Sequence, residues 1–159
     1  AEPDFTDAIE VATRYAGIPA KAIGVELTET ALALHPAAVR QALQDIRKLG
    51  CRLYLDDFGT GYSSLSQLTR FPVDVIKIDR SFISNMSATG RDIAVVRCIA
   101  AMAGALGMEL VAEGVDSPMQ IARLQELGCT YAQGFLYSQP LSAEQASAVV
   151  GTSYALLTA

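Results

Sequence analysis

The sequence is poor in basic residues, histidine and cysteine, and each shortage excludes a class of protein. It has 12 Lys and Arg against 17 Asp and Glu, so its formal net charge is −5. No excess of positive charge is left to hold a nucleic-acid polymer. The single histidine, His35, argues against a zinc site. Cys51, Cys98 and Cys129 form neither a C-x-x-C pair nor an even set, which predicts reduced thiols in a cytoplasmic domain.

Long apolar runs are missing as well, although the chain is hydrophobic overall. No apolar run reaches the roughly 18 residues that a membrane span needs. Hydrophobic residues still make up 51% of the 159 residues, enough for a sizeable buried core. The chain begins with Ala1 rather than Met, and we expect it to be a piece of a longer protein.

Helical patterns alternate with short apolar runs along the whole chain. Strands followed by helices or helical turns predict an α/β fold with parallel pairing and right-handed crossovers. A (β/α)8 barrel uses about 31 residues per unit, so 159 residues correspond to about five units. The fold is therefore either a complete open sheet of five strands or five eighths of a barrel. The predicted strands are Ile23–Leu27, Leu53–Leu55, Val73–Ile78, Leu110–Ala112 and Tyr131–Leu136.

Polar side chains close each predicted strand at its carboxyl end, where functional groups of parallel α/β folds collect. Four or five carboxylates against one lysine repel each other, since a like pair 4 Å apart costs about 4 kcal/mol at an effective dielectric of 20. Divalent cations would relieve this repulsion, and oxygen ligands suit Mg²⁺, Mn²⁺ or Ca²⁺. Each acid has an alternative role as a helix N-cap, which we favour for Asp79. The strand-end residues are Glu26, Asp56, Asp57, Lys77, Asp79, Glu113 and Gln133.

Five motifs, in this order and spacing, strongly resemble the EAL-domain family, which hydrolyses cyclic di-GMP on a modified TIM barrel. The ten-residue string D-D-F-G-T-G-Y-S-S-L is the most specific of them. The resemblance runs from about Phe5 to Pro140 and implies that residues 1–159 are a partial EAL domain, the C-terminal five βα units of a (β/α)8 barrel. The Glu-Ala-Leu motif and the strand-three asparagine of the family are absent. The motifs are Glu26–Thr30, Asp56–Leu65, Lys77–Asp79, Ala112–Asp116 and Gln133–Pro140.

The resemblance also implies a set of metal ligands. Glu26 and Asp56 resemble ligands of a first metal ion, with Asp56 bridging to a second. Asp57 and Glu113 resemble ligands around that second ion. The implied cofactor is Mg²⁺ or Mn²⁺, and Ca²⁺ inhibits members of the family.

Three further roles follow from the same resemblance. Lys77 resembles the group that orients or deprotonates the attacking water, with nearby cations lowering its pKa. Gln133 resembles the residue that holds a metal-bound water, which places it with Lys77 and Glu113 in the catalytic set. Glu29 resembles the anchor of the substrate loop, which consists of Phe58, Gly59, Thr60, Gly61 and Tyr62.

The implied function is a cyclic-di-GMP phosphodiesterase that opens one phosphodiester to linear pGpG by a two-metal mechanism. Two alternatives stay open: a non-catalytic cyclic di-GMP receptor and a dimerisation domain. The resemblance implies bacterial signalling, a homodimer, an upstream sensory or GGDEF-type domain and a cytoplasmic site, in a parent that is membrane-anchored in some family members. By itself the chain is expected to be inactive.

A five-unit piece of a barrel would leave two strand edges unpaired, at the first and the last predicted strand. Unpaired edges are sites of association. We also expect the piece to uncover three residues taken as inward-facing, Val25, Leu55 and Ile76. The isolated chain is therefore predicted to aggregate, dimerise or swap strands.

Overall fold

A computed structural model describes residues 5–34, 36–61, 68–86 and 90–149. A 3-10 turn over Ala20–Ala22 precedes the first strand. The strands are β1 Gly24–Thr28, β2 Arg52–Phe58, β3 Val75–Ile78, β4 Glu109–Ala112 and β5 Tyr131–Ala132. The helices are α1 Phe5–Ala16, α2 Glu29–Leu34, α3 Pro36–Lys48, α4 Arg80–Ser84, α5 Gly90–Leu106, α6 Pro118–Glu126 and α7 Ala143–Val149.

The five strands form one parallel sheet in the order β1-β2-β3-β4-β5. This confirms the predicted α/β class with five parallel strands. Each strand is hydrogen-bonded to its successor in the chain, so the strand order never reverses. Open doubly wound sheets have such a reversal, whereas barrels add their strands consecutively. The order therefore favours the barrel-type arrangement over a complete open sheet.

The two faces of the sheet differ in what covers them. Alternate residues such as Leu53, Leu55, Ile76 and Ile78 are fully buried and belong to the hydrophobic core. Successive side chains of a strand point to opposite faces, so the alternate positions of β1 to β3 lie on the other face of the sheet. These positions include Glu26, Tyr54, Asp56 and Lys77. The core thus lies on one side of the sheet, and the other side carries most of the polar groups.

The prediction that Val25, Leu55 and Ile76 face inward and become uncovered is wrong. Leu55 and Ile76 have no exposed surface, and Val25 packs partly buried against the same core. They share a face as predicted, but it is the face covered by the core rather than the face that carries Lys77. Alternation along a strand assigns residues to one of two faces without telling which face is covered.

Strand positions match the predictions for β1, β3 and β4 to within two residues, and the last strand is shorter than predicted. The second strand is longer than predicted: it continues to Phe58, which was expected to begin the substrate loop. Beyond Ala132 the chain crosses the backbone of Val115: an ideal Cβ on Gly134 would lie 2.1 Å from the Val115 carbonyl oxygen. The Leu136 N–H then donates to that oxygen at 3.1 Å. Glycine at 134 permits this crossing, which ends the strand four residues early.

Helix ends follow local signals in the sequence. The sequence Ser117-Pro118-Met119-Gln120 predicts a capping box, and the structure shows it, with Ser117 as the N-cap of α6 and Gln120 completing the box. Helix α2 was not predicted, because its six residues are too few to show helical periodicity. The sequence also predicts a short helical turn near Leu65–Thr69, which lies mostly outside the described residues. None of the helices described is long and apolar enough to cross a membrane.

Candidate active site

Lys77 is the centre of a charged cluster at the carboxyl ends of the strands. Its Nζ lies 2.8 Å from Oε2 of Glu26, 2.9 Å from Oδ1 of Asp56 and 2.7 Å from Oε1 of Glu113. The Lys77 side chain is 7% exposed, whereas the three carboxylates are 51%, 23% and 17% exposed in that order. One buried ammonium therefore joins acids from three other strand ends.

Sheet pairing brings these residues together from positions far apart in the sequence. Asp56 lies in register with Thr28 on β1, and Lys77 lies in register with Val111 on β4. Hydrogen bonding continues past β4, since the Glu113 N–H donates to the Ile78 carbonyl at 3.1 Å.

Gln133 extends the cluster on the β5 side. Its backbone N–H donates to the Ala112 carbonyl at 2.8 Å, and its side-chain Nε2 donates to Oε1 of Glu113 at 2.7 Å. The amide therefore orients the carboxylate of Glu113, the same oxygen that accepts from Lys77.

A β-bulge presents the two adjacent aspartates at the same site. Successive residues of a regular strand point to opposite faces. Between the pairs Leu55–Ile76 and Phe58–Ile78, however, β2 has one residue more than β3. Asp57 takes φ = 54°, which aspartate tolerates better than most residues. The bulge re-aims the chain so that carboxylate oxygens of Asp56, Asp57 and Glu113 lie within 4.8 Å of one another.

Charge in the cluster is strongly unbalanced. Burial by itself disfavours the charged form of Lys77, but the hydrogen bonds that its ammonium donates to Glu113, Glu26 and Asp56 outweigh burial and raise the lysine pKa. Burial also raises the pKa of Glu113, against the lowering effect of Lys77 and with the added repulsion of Asp56. One ammonium faces four carboxylates, Asp57 included, which leaves an excess of about three negative charges.

The donor set fits hard divalent cations. Asp56, Asp57 and Glu113 offer one carboxylate oxygen each, close enough to share an ion, and carboxylate oxygens are the ligands of Mg²⁺, Mn²⁺ and Ca²⁺. Glu26 is not in this closest group, and its Oε2 is held by Lys77. The excess negative charge of the cluster would also attract such cations.

The loop after β2 is fastened to the start of α2. Oε2 of the buried Glu29 accepts from the N–H groups of Gly59 at 3.2 Å and Gly61 at 3.3 Å. Thr60 folds back on Asp57, with its hydroxyl donating to the Asp57 carbonyl at 2.8 Å. Tyr62, the last predicted residue of this loop, lies outside the described residues.

Asp79 has the structural role expected of it. It caps α4, accepting at Oδ1 from the Ser81 N–H at 3.0 Å and from the Ser81 hydroxyl. Asp79 is therefore the N-cap of a helix that begins three residues after Lys77.

Beside Glu113 and Gln133 the surface opens into a cleft of about 400 Å³. The Phe135 side chain lies in this cleft and is 61% exposed. Its remaining lining residues are Arg80, Gly114, Asp116, Gly134, Ser138, Gln139 and Pro140.

The motifs that bear these residues match one family model, that of the EAL domain, over residues 1–140. The chain belongs to the EAL domain family. Seen as an EAL domain, its five-stranded sheet is a partial TIM-barrel-like unit, as predicted from the resemblance.

Individual relatives support the same assignment. Residues of this EAL domain are 46% identical over 124 positions to the cyclic di-GMP phosphodiesterase RocR of Pseudomonas aeruginosa, covering 78% of this chain and 32% of RocR. Among solved structures, the EAL domain of Mycobacterium smegmatis DcpA superposes with a TM-score of 0.88 at 35% identity, covering 96% of this chain and 68% of that one.

A third comparison includes a metal and a nucleotide. The Klebsiella pneumoniae BlrP1 complex with manganese and cyclic di-GMP has a TM-score of 0.81 and 35% identity, over 87% of this chain and 36% of that one. The chain spans between about a fifth and a third of the length of the first curated relatives it matches.

The cleft was the part of the EAL domain that sequence reasoning missed. Arg80 and Asp116 were not proposed as site residues, because Arg80 follows an N-cap and Asp116 precedes another. The signal available was their position, each three residues after a strand-end site residue, Lys77 or Glu113.

Proposed function

We propose that this EAL domain hydrolyses cyclic di-GMP to linear pGpG with the help of two divalent cations, Mg²⁺ or Mn²⁺. The observation that carries the proposal is the convergence of Glu26, Asp56 and Glu113 on Lys77, with Asp57 turned to the same site by the bulge. RocR, a relative by sequence, bears the name of a cyclic di-GMP phosphodiesterase, which supports the choice of substrate.

The carboxylates would hold the cations. Carboxylate oxygens of Asp56, Asp57 and Glu113 lie around one common position. Glu26, on β1, and Asp56 both form an ion pair with Lys77. We therefore assign Asp56 as the bridging ligand, Glu26 to the first ion, and Asp57 and Glu113 to the second. Bound cations would supply charge neutralisation of the phosphodiester and activation of water.

In the reaction, the water oxygen forms a bond to phosphorus while the bond from phosphorus to the 3′ oxygen breaks. One proton of the water remains on the new 5′-phosphate or leaves to solvent, and the 3′ oxygen takes up a proton. The ring opens to one linear dinucleotide, so atoms balance with one water consumed.

Lys77 is proposed to orient the attacking water. The family resemblance left two roles open for it, orienting or deprotonating that water. Hydrogen bonds to the three carboxylates raise its pKa in the metal-free cluster, where the side chain is an ammonium that donates hydrogen bonds and accepts none. An ammonium at this position would orient a water molecule by donating to its oxygen. Gln133 holds the Glu113 carboxylate in place and presents its amide beside it.

The cleft beside Glu113 suits a guanine base. Phe135 offers an exposed ring face for stacking, and Asp116 is an exposed carboxylate that could accept from the N2 amino group of guanine. With the base in the cleft, the attached phosphate would extend toward Glu113. The loop after β2, over Gly59, Thr60 and Gly61, would be coupled to the metal ligands through Asp57 and Glu29.

We further propose that the domain works in the cytoplasm and as a homodimer. Reduced cysteines support the compartment, since Cys51, Cys98 and Cys129 are all free thiols.

The test is incubation of the full-length protein with cyclic di-GMP and Mg²⁺ or Mn²⁺, followed by chromatography for pGpG. We expect pGpG from the parent protein and at least about a hundredfold less from Asp56→Asn. Asp45→Asn, on the exposed face of α3, is the matched control and should keep parent activity. Ligand that binds and is recovered unchanged would point to a receptor, and absence of binding to a dimerisation domain. Either result overturns the proposal.

A further inference from the structure

Arg80 is an exposed arginine whose side chain lies in the cleft beside the metal-type ligands. It is the first residue of α4, three residues after Lys77, and the Asp79 cap fixes the backbone there. Among the described residues that line the cleft, Arg80 is the one with a positive charge.

The path of the Arg80 side chain depends on a glycine next to Glu113. Gly114 has φ = 69°, and an ideal Cβ at that position would lie 2.2 Å from Cγ and 2.7 Å from Cδ of Arg80. The aliphatic stem of Arg80 therefore runs directly over the Gly114 backbone. Any larger residue at 114 would displace this stem, so Gly114 and Arg80 form one unit that directs the guanidinium along the wall of the cleft.

The guanidinium has no ion-pair partner among the residues that the structure describes, although Asp116 and Glu113 line the same cleft. Lys77 is in the opposite situation, since three carboxylates occupy it. A polyanionic ligand that enters this acidic site meets two cations. Lys77 is already paired with three carboxylates, whereas Arg80 has no ion-pair partner among the described residues.

We propose that Arg80 is a substrate-binding residue that contacts a phosphodiester oxygen of the cyclic dinucleotide. This inference rests on the function proposed above and adds a residue to it. A guanidinium donates strong charge-assisted hydrogen bonds to phosphate oxygens. Because Arg80 reaches the ligand from the cleft and not from the metal ligands, it acts on binding more than on the chemical step.

The experiment compares Arg80→Ala and Arg80→Lys in the full-length protein. For Arg80→Ala we expect KM to rise about tenfold with kcat within about twofold of the parent, which corresponds to the loss of one charge-assisted hydrogen bond. Arg80→Lys should recover most of the affinity, since lysine binds phosphate as a point charge. Arg97→Ala, an exposed arginine on α5 outside the cleft, is the matched control and should leave KM unchanged.

Binding of cyclic di-GMP measured by calorimetry in Ca²⁺ separates this inference from the proposed function. If the parent protein binds but does not turn over, Arg80→Ala must still weaken binding about tenfold for the inference to stand. Parent-like affinity of Arg80→Ala overturns it, whatever the activity. Failure of Arg80→Lys to recover any affinity also overturns it, because a charge contact to a phosphodiester oxygen is expected to be kept in part by another cation.

Discussion

At the scale of single residues, a substitution of Lys77 distinguishes loss of turnover from loss of metal and nucleotide binding in the charged cluster. Replacing it by methionine removes the ammonium and keeps most of the volume. We expect turnover to fall at least about a hundredfold while Mn²⁺ and nucleotide still bind, because the carboxylate ligands remain. The measurements are initial rates of pGpG formation and calorimetric titration of Mn²⁺. Hydrolysis at the parent rate by Lys77→Met would show that the assigned role is wrong.

The same substitution has a stability signature. Without metal, Glu26, Asp56 and Glu113 are left to repel each other, so Lys77→Met should lose about 2 kcal/mol of unfolding free energy in a chelator. This figure lies below that of a fully buried ion pair because the carboxylates are partly exposed. Mn²⁺ should restore part of the loss. Lys48→Met, which breaks an exposed pair with Asp45, should cost under about 0.5 kcal/mol.

The three thiols predict an order of chemical reactivity. Cys98 is exposed, Cys51 is buried with a raised pKa, and burial raises the pKa of Cys129 to about 11. The thiolate is the reactive form, so at pH 8 about one molecule in a thousand has a reactive Cys129. Alkylation followed by peptide mass spectrometry should therefore label Cys98 first. Labelling of Cys129 should rise steeply as the pH approaches 11, and equal labelling of all three at pH 8 would contradict the burial described.

At the scale of elements, the contact between α2 and the loop after β2 couples the metal-type site to a segment outside it. Glu29 accepts from Gly59 and Gly61, and the same loop bonds back to Asp57 through Thr60. Removing the carboxylate should free the loop and disturb Asp57 without unfolding the sheet. The coupling therefore depends on the hydrogen bonds that these backbone N–H groups donate to Glu29. Among the contacts described, no other side chain accepts from them.

Glu29→Ala is therefore predicted to weaken Mn²⁺ binding about tenfold or more and to lower turnover accordingly. Far-ultraviolet circular dichroism should match the parent, because the strands keep their pairing. Glu126→Ala, at the end of α6, provides a control that leaves the loop intact. Parent-like Mn²⁺ affinity in Glu29→Ala would refute the coupling.

At the scale of the whole molecule, both edges of the described sheet are open. β1 and β5 each pair with one neighbour, and apolar side chains on α1 are exposed as well, with Val11 at 63% and Tyr15 at 94%. Unpaired edges and exposed apolar faces favour association. The 159-residue chain by itself is therefore predicted to form dimers or larger species in sedimentation velocity. It should also bind cyclic di-GMP at least about tenfold more weakly than the full-length protein.

The variant Val11→Glu with Tyr15→Lys distinguishes the two sources of association. A shift toward monomer would assign the association to α1, and an unchanged distribution would assign it to the strand edges. A parent chain that sediments as a monomer with the affinity of the full-length protein would contradict the prediction altogether.

Local sequence signals determined much of this protein. Apolar runs placed β1 to β4, and Ser117 with Gln120 predicted the start of α6, because hydrophobic periodicity and capping act over a few residues. The family also followed from the sequence, since the motif beginning at Asp56 is long and specific. Polar residues at strand ends predicted where Glu26, Lys77 and Glu113 would meet, because parallel strands end at one edge.

Tertiary structure decided the features that depend on contacts between distant residues. Pairing of β2 with β3 creates the bulge that turns Asp57 toward Asp56, and packing of helices decides that Leu55 faces the core. The approach of Gly134 to Val115 ends β5, and the approach of Arg80 to Gly114 places a cation in the cleft. A periodic pattern specifies which residues share a face, whereas the neighbour that covers this face comes from elsewhere in the chain.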